Sequence, residues 1–174
     1  MASLLKHAPA AAGSNIMMMA RRGYLGHILA GGLEKITELQ VPDPFTTQPM
    51  CEVIKAVRIL VNELGNRVFV MGRADQGPGA LALALRGYER FVMDLAVNEQ
   101  PELIHQVLDY CVKVQTRYAL AFKEAGAHGT ATGGLGLSLL SPRIYRQIEH
   151  PCERRFIQAV NAPFLLVHPN FPEE

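Results

Sequence analysis

The sequence predicts an α/β fold with a parallel sheet, and three stretches carry that expectation. Arg67-Val68-Phe69-Val70-Met71-Gly72 is an apolar run of strand length bounded by glycine. Gly77-Pro78-Gly79 follows and opens a leucine- and alanine-rich run, with Pro78 at a first helical turn, where its missing N–H leaves no bond unmade. Pro163-Phe164-Leu165-Leu166-Val167-His168 is a second buried-strand run near the C-terminus. Strands separated by helices predict parallel pairing through right-handed crossovers. The ligand end of such a unit lies where the strand gives way to the helix, here residues 73–79.

The remaining elements follow in order. Residues 33–39 read as a short helix, which the two prolines of Val41-Pro42-Asp43-Pro44 follow with an extended connection. Residues 51–64 place Val53, Ile54, Val57, Leu60, Val61 and Leu64 on one helical face, with Gly65 at the C-cap. A helix is expected over 80–97. Pro101 then opens another to residue 125, with Leu103, Val107, Leu108, Cys111, Val114, Tyr118 and Phe122 inward and Gly126 as its cap. Residues 129–133 form a candidate short strand and 134–140 a glycine-containing loop. Ser141-Pro142 supplies an N-cap and a first-turn proline for a helix that runs to residue 160 with an interruption at Pro151.

Composition narrows the class. The chain has 174 residues, 49% hydrophobic and 19% charged, which suits one folded domain. A net charge of +1, 7% aromatic residues and no Trp argue against nucleic acid as a partner. Cys51, Cys111 and Cys152 are far apart, odd in number and outside any CxxC pattern, so neither a disulfide framework nor a self-contained zinc knuckle is expected, and a reducing cytoplasm fits. No apolar run reaches the ~20 residues that span a bilayer, so no membrane partner is expected. The first 33 residues contain no acid and carry Lys6, Arg21 and Arg22, a composition shared with organelle transit peptides; the apolar run at 16–20 is too short for a signal-peptide core. Residues 1–33 are expected to be a loosely ordered N-terminal region and 34–174 the domain.

One ordered series of short motifs points to a family. Val41-Pro42-Asp43-Pro44, Gly65, Gly77-Pro78 with Leu81-Ala82, Leu85-Arg86-Gly87, Met93-Asp94-Leu95, Pro101-Glu102-Leu103 and His105 resemble the uroporphyrinogen decarboxylase superfamily. Ala125-Gly126-Ala127 before a strand, Leu140-Ser141-Pro142 before a helix and Pro151 within it continue the resemblance, which covers residues 34–168. It implies a (β/α)8 TIM-type barrel, in a superfamily that holds the haem-pathway decarboxylases and the zinc-dependent methylcobamide:thiol methyltransferases. The Gly-Pro-x-x-Leu-Ala and Leu-Arg-Gly runs are more similar to the methyltransferase branch. Such a barrel needs about 250 residues, so the chain is expected to carry its middle portion.

The resemblance also marks departures. The arginine-bearing N-terminal segment of the decarboxylases has no counterpart in this sequence. The methyltransferase strand matching residues 165–168 ends in His-x-Cys, a zinc pair, where this chain reads His168-Pro169-Asn170. His168 is therefore the candidate metal ligand, at the strand end where barrel enzymes place ligands, and zinc is expected only if its remaining ligands lie elsewhere. The strand over 129–133 ends in glycines where the family commonly has an acid.

Among other residues, Arg73, Asp75, Gln76, Gly77 and Pro78 in the turn after the first strand are the candidate substrate-binding set; the alternative for the polar trio is a solvated turn. Arg86 is expected to pair with Glu89, three positions on. Tyr88, Phe91 and Met93 read as packing residues, and His105 and His150 as surface residues of helices. Gly133, Gly134 and Gly136 lack a phosphate fingerprint and read as a turn. Glu153, Arg154 and Arg155 read as a solvated helix face.

The resemblance implies a tetrapyrrole or corrinoid ligand, with either porphyrinogen decarboxylation or methyl transfer to a thiol. The alternatives are a catalytically inactive tetrapyrrole- or corrinoid-binding module and a truncated product without independent function. An incomplete barrel leaves strand edges unpaired, so a homo-oligomer or a complementing partner chain is expected.

Overall fold

The computed structural model describes residues 28–74, 77–132, 140–161 and 165–167. A 3-10 turn at Leu33–Glu38 precedes α1 (Met50–Leu64), β1 (Met71–Arg73), α2 (Pro78–Arg86), α3 (Tyr88–Val97), α4 (Pro101–Glu124) and β2 (Gly129–Thr132). A short α5 (Pro142–Ile144), a π-helical turn (Tyr145–Glu149), α6 (His150–Val160) and β3 (Leu165–Val167) complete it.

The strands form a parallel sheet in the order β1-β2-β3, with Gly72 opposite Thr130 and Ala131 opposite Leu166. The alternation of strands and helices thus yields the expected parallel topology. The first strand begins later than the sequence predicts, at Met71 rather than Arg67. The chain is still turning there: the amides of Arg67 and Val68 both donate to the Leu64 carbonyl at 2.8 and 3.0 Å. Pairing with the next strand starts at Val70, whose amide donates to His128 Nδ1 at 2.9 Å while its carbonyl accepts from the His128 amide at 2.8 Å. The second strand lies within the predicted 129–133. The ends of the expected strand 163–168 and the glycine loop 134–140, apart from Leu140, lie outside the described residues.

The single helix expected over 80–97 is two. Gly87 takes φ 94° and ψ 135°, a conformation that L-residues avoid, and it turns the chain between α2 and α3. The helix after Ser141 is also subdivided. Ser141 Oγ accepts the Ile144 amide at 3.3 Å as a cap, and Pro142 sits in the first turn, as expected. Pro151 lacks an N–H and its ring crowds the carbonyl four residues back, so the preceding turn widens to the π form before α6 resumes.

α4 is the beam of the structure. Its first half, through Ile104, Val107, Leu108, Cys111 and Val114, packs into a core with Leu29, Leu33, Leu81, Leu85, Phe91, Leu95 and Cys152. Its second half, through Tyr118, Ala119 and Phe122, packs with Met50, Ile54, Val57, Val70, Phe156 and Val160. The core reaches back to Leu29, within the stretch 1–33. Gly72 lies so close to Phe122 that a Cβ there would fall on the ring, so β1 presses directly on α4. Strand alternation then points Met71 and Arg73 to the opposite face, and both are exposed.

Candidate functional site: the turn after the first strand

The C-terminal ends of β1 and β2 and the turn that enters α2 form the face where parallel α/β units meet their ligands. Arg73 closes β1 there, exposed, on the face opposite α4. Asp75 and Gln76 lie outside the described residues. Gly77 and Pro78 are buried and shape the turn from inside: the Gly77 carbonyl accepts Gln115 Nε2 from α4 at 2.8 Å. The Ala74 amide donates to Thr130 Oγ1 on β2 at 3.3 Å. Thr132, at the end of β2, is buried with no partner for its hydroxyl oxygen among the described residues.

Sequence reasoning missed two residues behind this turn. Glu149 ends the π-helical turn, is only 2% exposed and accepts the Gly79 amide on Oε1 at 2.8 Å. A Cβ on Gly79 would stand 2.5 Å from the Glu149 carboxyl carbon, so only glycine admits this approach. Glu153 is also 2% exposed, and neither carboxyl oxygen has a hydrogen-bond partner among the described residues. The expected solvated face over 153–155 is corrected accordingly. Arg154 is exposed and Arg155 reaches outward to Asp109 at 2.6 Å, but Glu153 turns inward. The signal was available: Glu149, Cys152, Glu153, Phe156 and Val160 share one stripe at helical spacing, and the acids lie within it.

Burial governs the electrostatics. It pushes the Glu149 carboxyl up to about 7, against the opposing pull of the Gly79 amide. It pushes Glu153 up to about 8, with the Glu149 charge adding to the rise. Burial, with the Glu149 charge adding to it, also raises Cys111 and Cys152, Cys152 to about 11. Such a carboxyl pair holds a proton near neutrality.

Arg86 is likewise corrected. Its Nε binds Asp94 Oδ2 at 2.7 Å rather than Glu89, because the break at Gly87 folds α3 back and removes the continuous turn that an i+3 pair needs. Its Nη1 donates to the Leu29 carbonyl at 2.6 Å. Of the expected packing residues, Phe91 is buried, whereas Tyr88 and Met93 are exposed. His105 and His150 lie on exposed helix faces, as expected. Cys51, Cys111 and Cys152 are free thiols.

His168 lies outside the described residues. Among those that are described, no three His, Cys, Asp or Glu side chains converge to hold a metal ion, so the zinc implied by the resemblance finds no donor set there. No helix among them is long and apolar enough to cross a membrane.

The family model for uroporphyrinogen decarboxylase matches residues 5–170, starting well before Glu34. Among solved structures, a methyltransferase from Methanosarcina mazei matches with a TM-score of 0.65 and 25% identity, over 78% of this chain and 40% of that one. This chain thus spans about two-fifths of the solved chain. No curated protein matches. The match and the neighbour fit an α/β fold of the TIM-barrel type, and the chain belongs to the uroporphyrinogen decarboxylase family, on its methyltransferase-like branch.

Proposed function

We propose that this chain carries part of the tetrapyrrole-binding face of a corrinoid-dependent methyltransferase and that it works with further barrel strands from a second copy or a complementing chain in a reducing cytoplasm. The observation that supports this most is the likeness to a solved methyltransferase at a TM-score of 0.65. Arg73 offers a guanidinium at the C-terminal end of β1, where a fork of N–H donors suits the oxygen acceptors on a corrinoid or porphyrinogen rim. Gln115 and Glu149 hold Gly77 and Gly79, at the entry of α2, from behind. Asp75 and Gln76 complete the proposed ligand-binding set, with the buried Gly77 and Pro78 shaping the turn behind them, and His168 remains the proposed metal ligand, with its partners on the complementing part.

Titration with hydroxocobalamin and, separately, with uroporphyrin tests this reading through their absorbance bands. Saturable binding of hydroxocobalamin, weakened about fivefold to tenfold by Arg73→Ala, is the expected result. Binding of uroporphyrin alone would move the assignment to the decarboxylases. Binding of neither would remove it. Hydroxocobalamin binding without methyl transfer by the assembled protein would favour an inactive binding module, the second reading, to which Asn170 in place of a thiolate points.

A further inference from the structure

β1 ends the sheet on one side among the described residues, and its free edge is complementary to itself. We propose that a second copy of this chain pairs antiparallel to β1 along this edge, with Met71 opposite Met71 and Arg73 opposite Phe69. The pairing rests on the proposed function only in that a partner chain extends the sheet, and it needs no ligand to form.

The direction of the backbone fixes which groups are free. Val70 turns both of its own to β2: its amide donates to His128 Nδ1 at 2.9 Å and its carbonyl accepts the His128 amide at 2.8 Å. Ala74 also sends its amide to β2, to Thr130 Oγ1 at 3.3 Å. Backbone direction alternates along a strand, so Gly72 between them faces β2, and Met71 and Arg73 face outward. The Phe69 carbonyl points away from the Val70 amide across their planar peptide, and so outward as well. Residues with outward groups must stand opposite one another in an antiparallel pair. A two-fold axis through Met71 meets that condition for all three residues. An axis shifted toward Phe69 runs Arg73 past the end of the strand, because the Arg67 and Val68 amides are spent on the Leu64 carbonyl. An axis shifted toward Arg73 brings two guanidinium groups together.

The side chains agree with this register. Met71 and Arg73 stand on the face opposite α4, and alternation places Phe69 with them. Phe69 and Met71 hold 63% and 40% of their surface in solvent, and Arg73 has no ion-pair partner among the described residues. Opposed residues of an antiparallel pair share a face. The two methionines therefore meet at the axis, and each Arg73 guanidinium lies over the Phe69 ring of the second copy. A cation over an aromatic face is an attractive contact, and it leaves the N–H edge of the guanidinium open to a ligand. An antiparallel edge on an otherwise parallel sheet is a common arrangement.

Single cysteines placed in the full chain test the register under mild oxidation with glutathione disulfide, since Cys51, Cys111 and Cys152 are buried. Opposed residues of such a pair stand about 5.5 Å apart at Cα, within reach of a disulfide. Met71→Cys is expected to form a covalent dimer by itself, and Phe69→Cys to form one only when mixed with Arg73→Cys. Phe69→Cys or Arg73→Cys joining to itself would reveal another register or a parallel pairing and overturn the inference. A Met71→Cys chain that stays monomeric would overturn it too. The unaltered chain supplies a second measurement. Hydrogen exchange at the Met71 and Arg73 amides should slow about tenfold from about 1 μM to about 100 μM protein, while the Val70 amide, bonded to His128, changes little. Equal rates at both concentrations would mean that this edge does not pair with a second copy. Hydroxocobalamin enters neither measurement, so failure here and failure of ligand binding are read separately.

Discussion

The Gly79 amide donates to Glu149 Oε1 at 2.8 Å, joining the entry of α2 to the end of the π-helical turn. Replacing Gly79 with Ala puts a methyl group 2.5 Å from the Glu149 carboxyl carbon. Either the buried carboxyl swings away and gives up the amide bond, or the helix entry shifts. We expect Gly79→Ala to lower unfolding stability by about 2–3 kcal/mol, read as a lower denaturant midpoint at an unchanged slope. A variant within about 0.5 kcal/mol of the wild type would mean that the two elements part easily.

Glu153 sets a pH dependence of stability. Its carboxyl titrates at about 8 in the folded chain against an ordinary 4.5, so folding takes up a proton between those values. The corresponding stability is fully present below the ordinary value and is lost as pH rises through the folded one. The wild type should therefore weaken from about pH 5 to about pH 9. Glu153→Gln should flatten that decline and be the more stable protein at the alkaline end, by on the order of 3 kcal/mol. Glu149 keeps a smaller slope of the same sign in the variant. Parallel profiles for the two proteins would show that Glu153 is ionised in the folded state without cost.

Gln115 holds the other side of the turn, donating Nε2 to the Gly77 carbonyl at 2.8 Å. Gln115→Leu keeps the volume and removes the donor, leaving the Gly77 carbonyl only the long bond from the Leu81 amide at 3.3 Å. A loss of about 1–3 kcal/mol is expected in thermal or denaturant unfolding. Faster hydrogen exchange at residues 79–82 than at residues 104–108 should accompany it, since the damage is local to the start of α2.

Much of this architecture was legible because a few residues act on the backbone directly. Pro78, Pro101 and Ser141-Pro142 each open a helix, and the apolar stripe from Val107 to Phe122 is buried as its spacing predicts. The break at Gly87 was not legible, since a lone glycine within a helical pattern also occurs in continuous helices. The Arg86 and Asp94 pair depends on that break and was hidden with it. Glu149 and Glu153 escaped for a related reason. Charged residues beside Arg154 and Arg155 read as solvated, and nothing local says that a first-turn amide arrives from 70 residues away to meet one of them.

Arg86 fastens residues 28–30 to the fold. Its guanidinium binds both Asp94 oxygens, at 2.7 and 3.3 Å, and the Leu29 carbonyl at 2.6 Å, and its side chain is only 15% exposed. A lysine offers a point charge in place of this fork. Arg86→Lys should therefore cost about 1–2 kcal/mol, and Arg86→Ala about 2–3 kcal/mol. Limited proteolysis should cut near Leu29 sooner in both variants. Unchanged cleavage in Arg86→Ala would show that Leu29 is held by its core packing and its amide bond to the Leu85 carbonyl alone.

β1 has a strand neighbour on one side only among the described residues, and β1 and the residues leading into it hold apolar side chains in solvent: Phe69 is 63% exposed and Val68 49%, just before the strand, and Met71 40%, within it. An unpaired strand flanked by exposed apolar groups is a template for another strand. We therefore expect light scattering to find the chain as a dimer or larger at micromolar concentration. Phe69→Lys combined with Met71→Lys should shift it toward monomer, because charge at a strand edge opposes pairing. As both side chains are exposed, the pair of substitutions should leave monomer stability within about 1 kcal/mol. A wild-type chain that stays monomeric across the concentration range would show that this edge is covered within the chain itself.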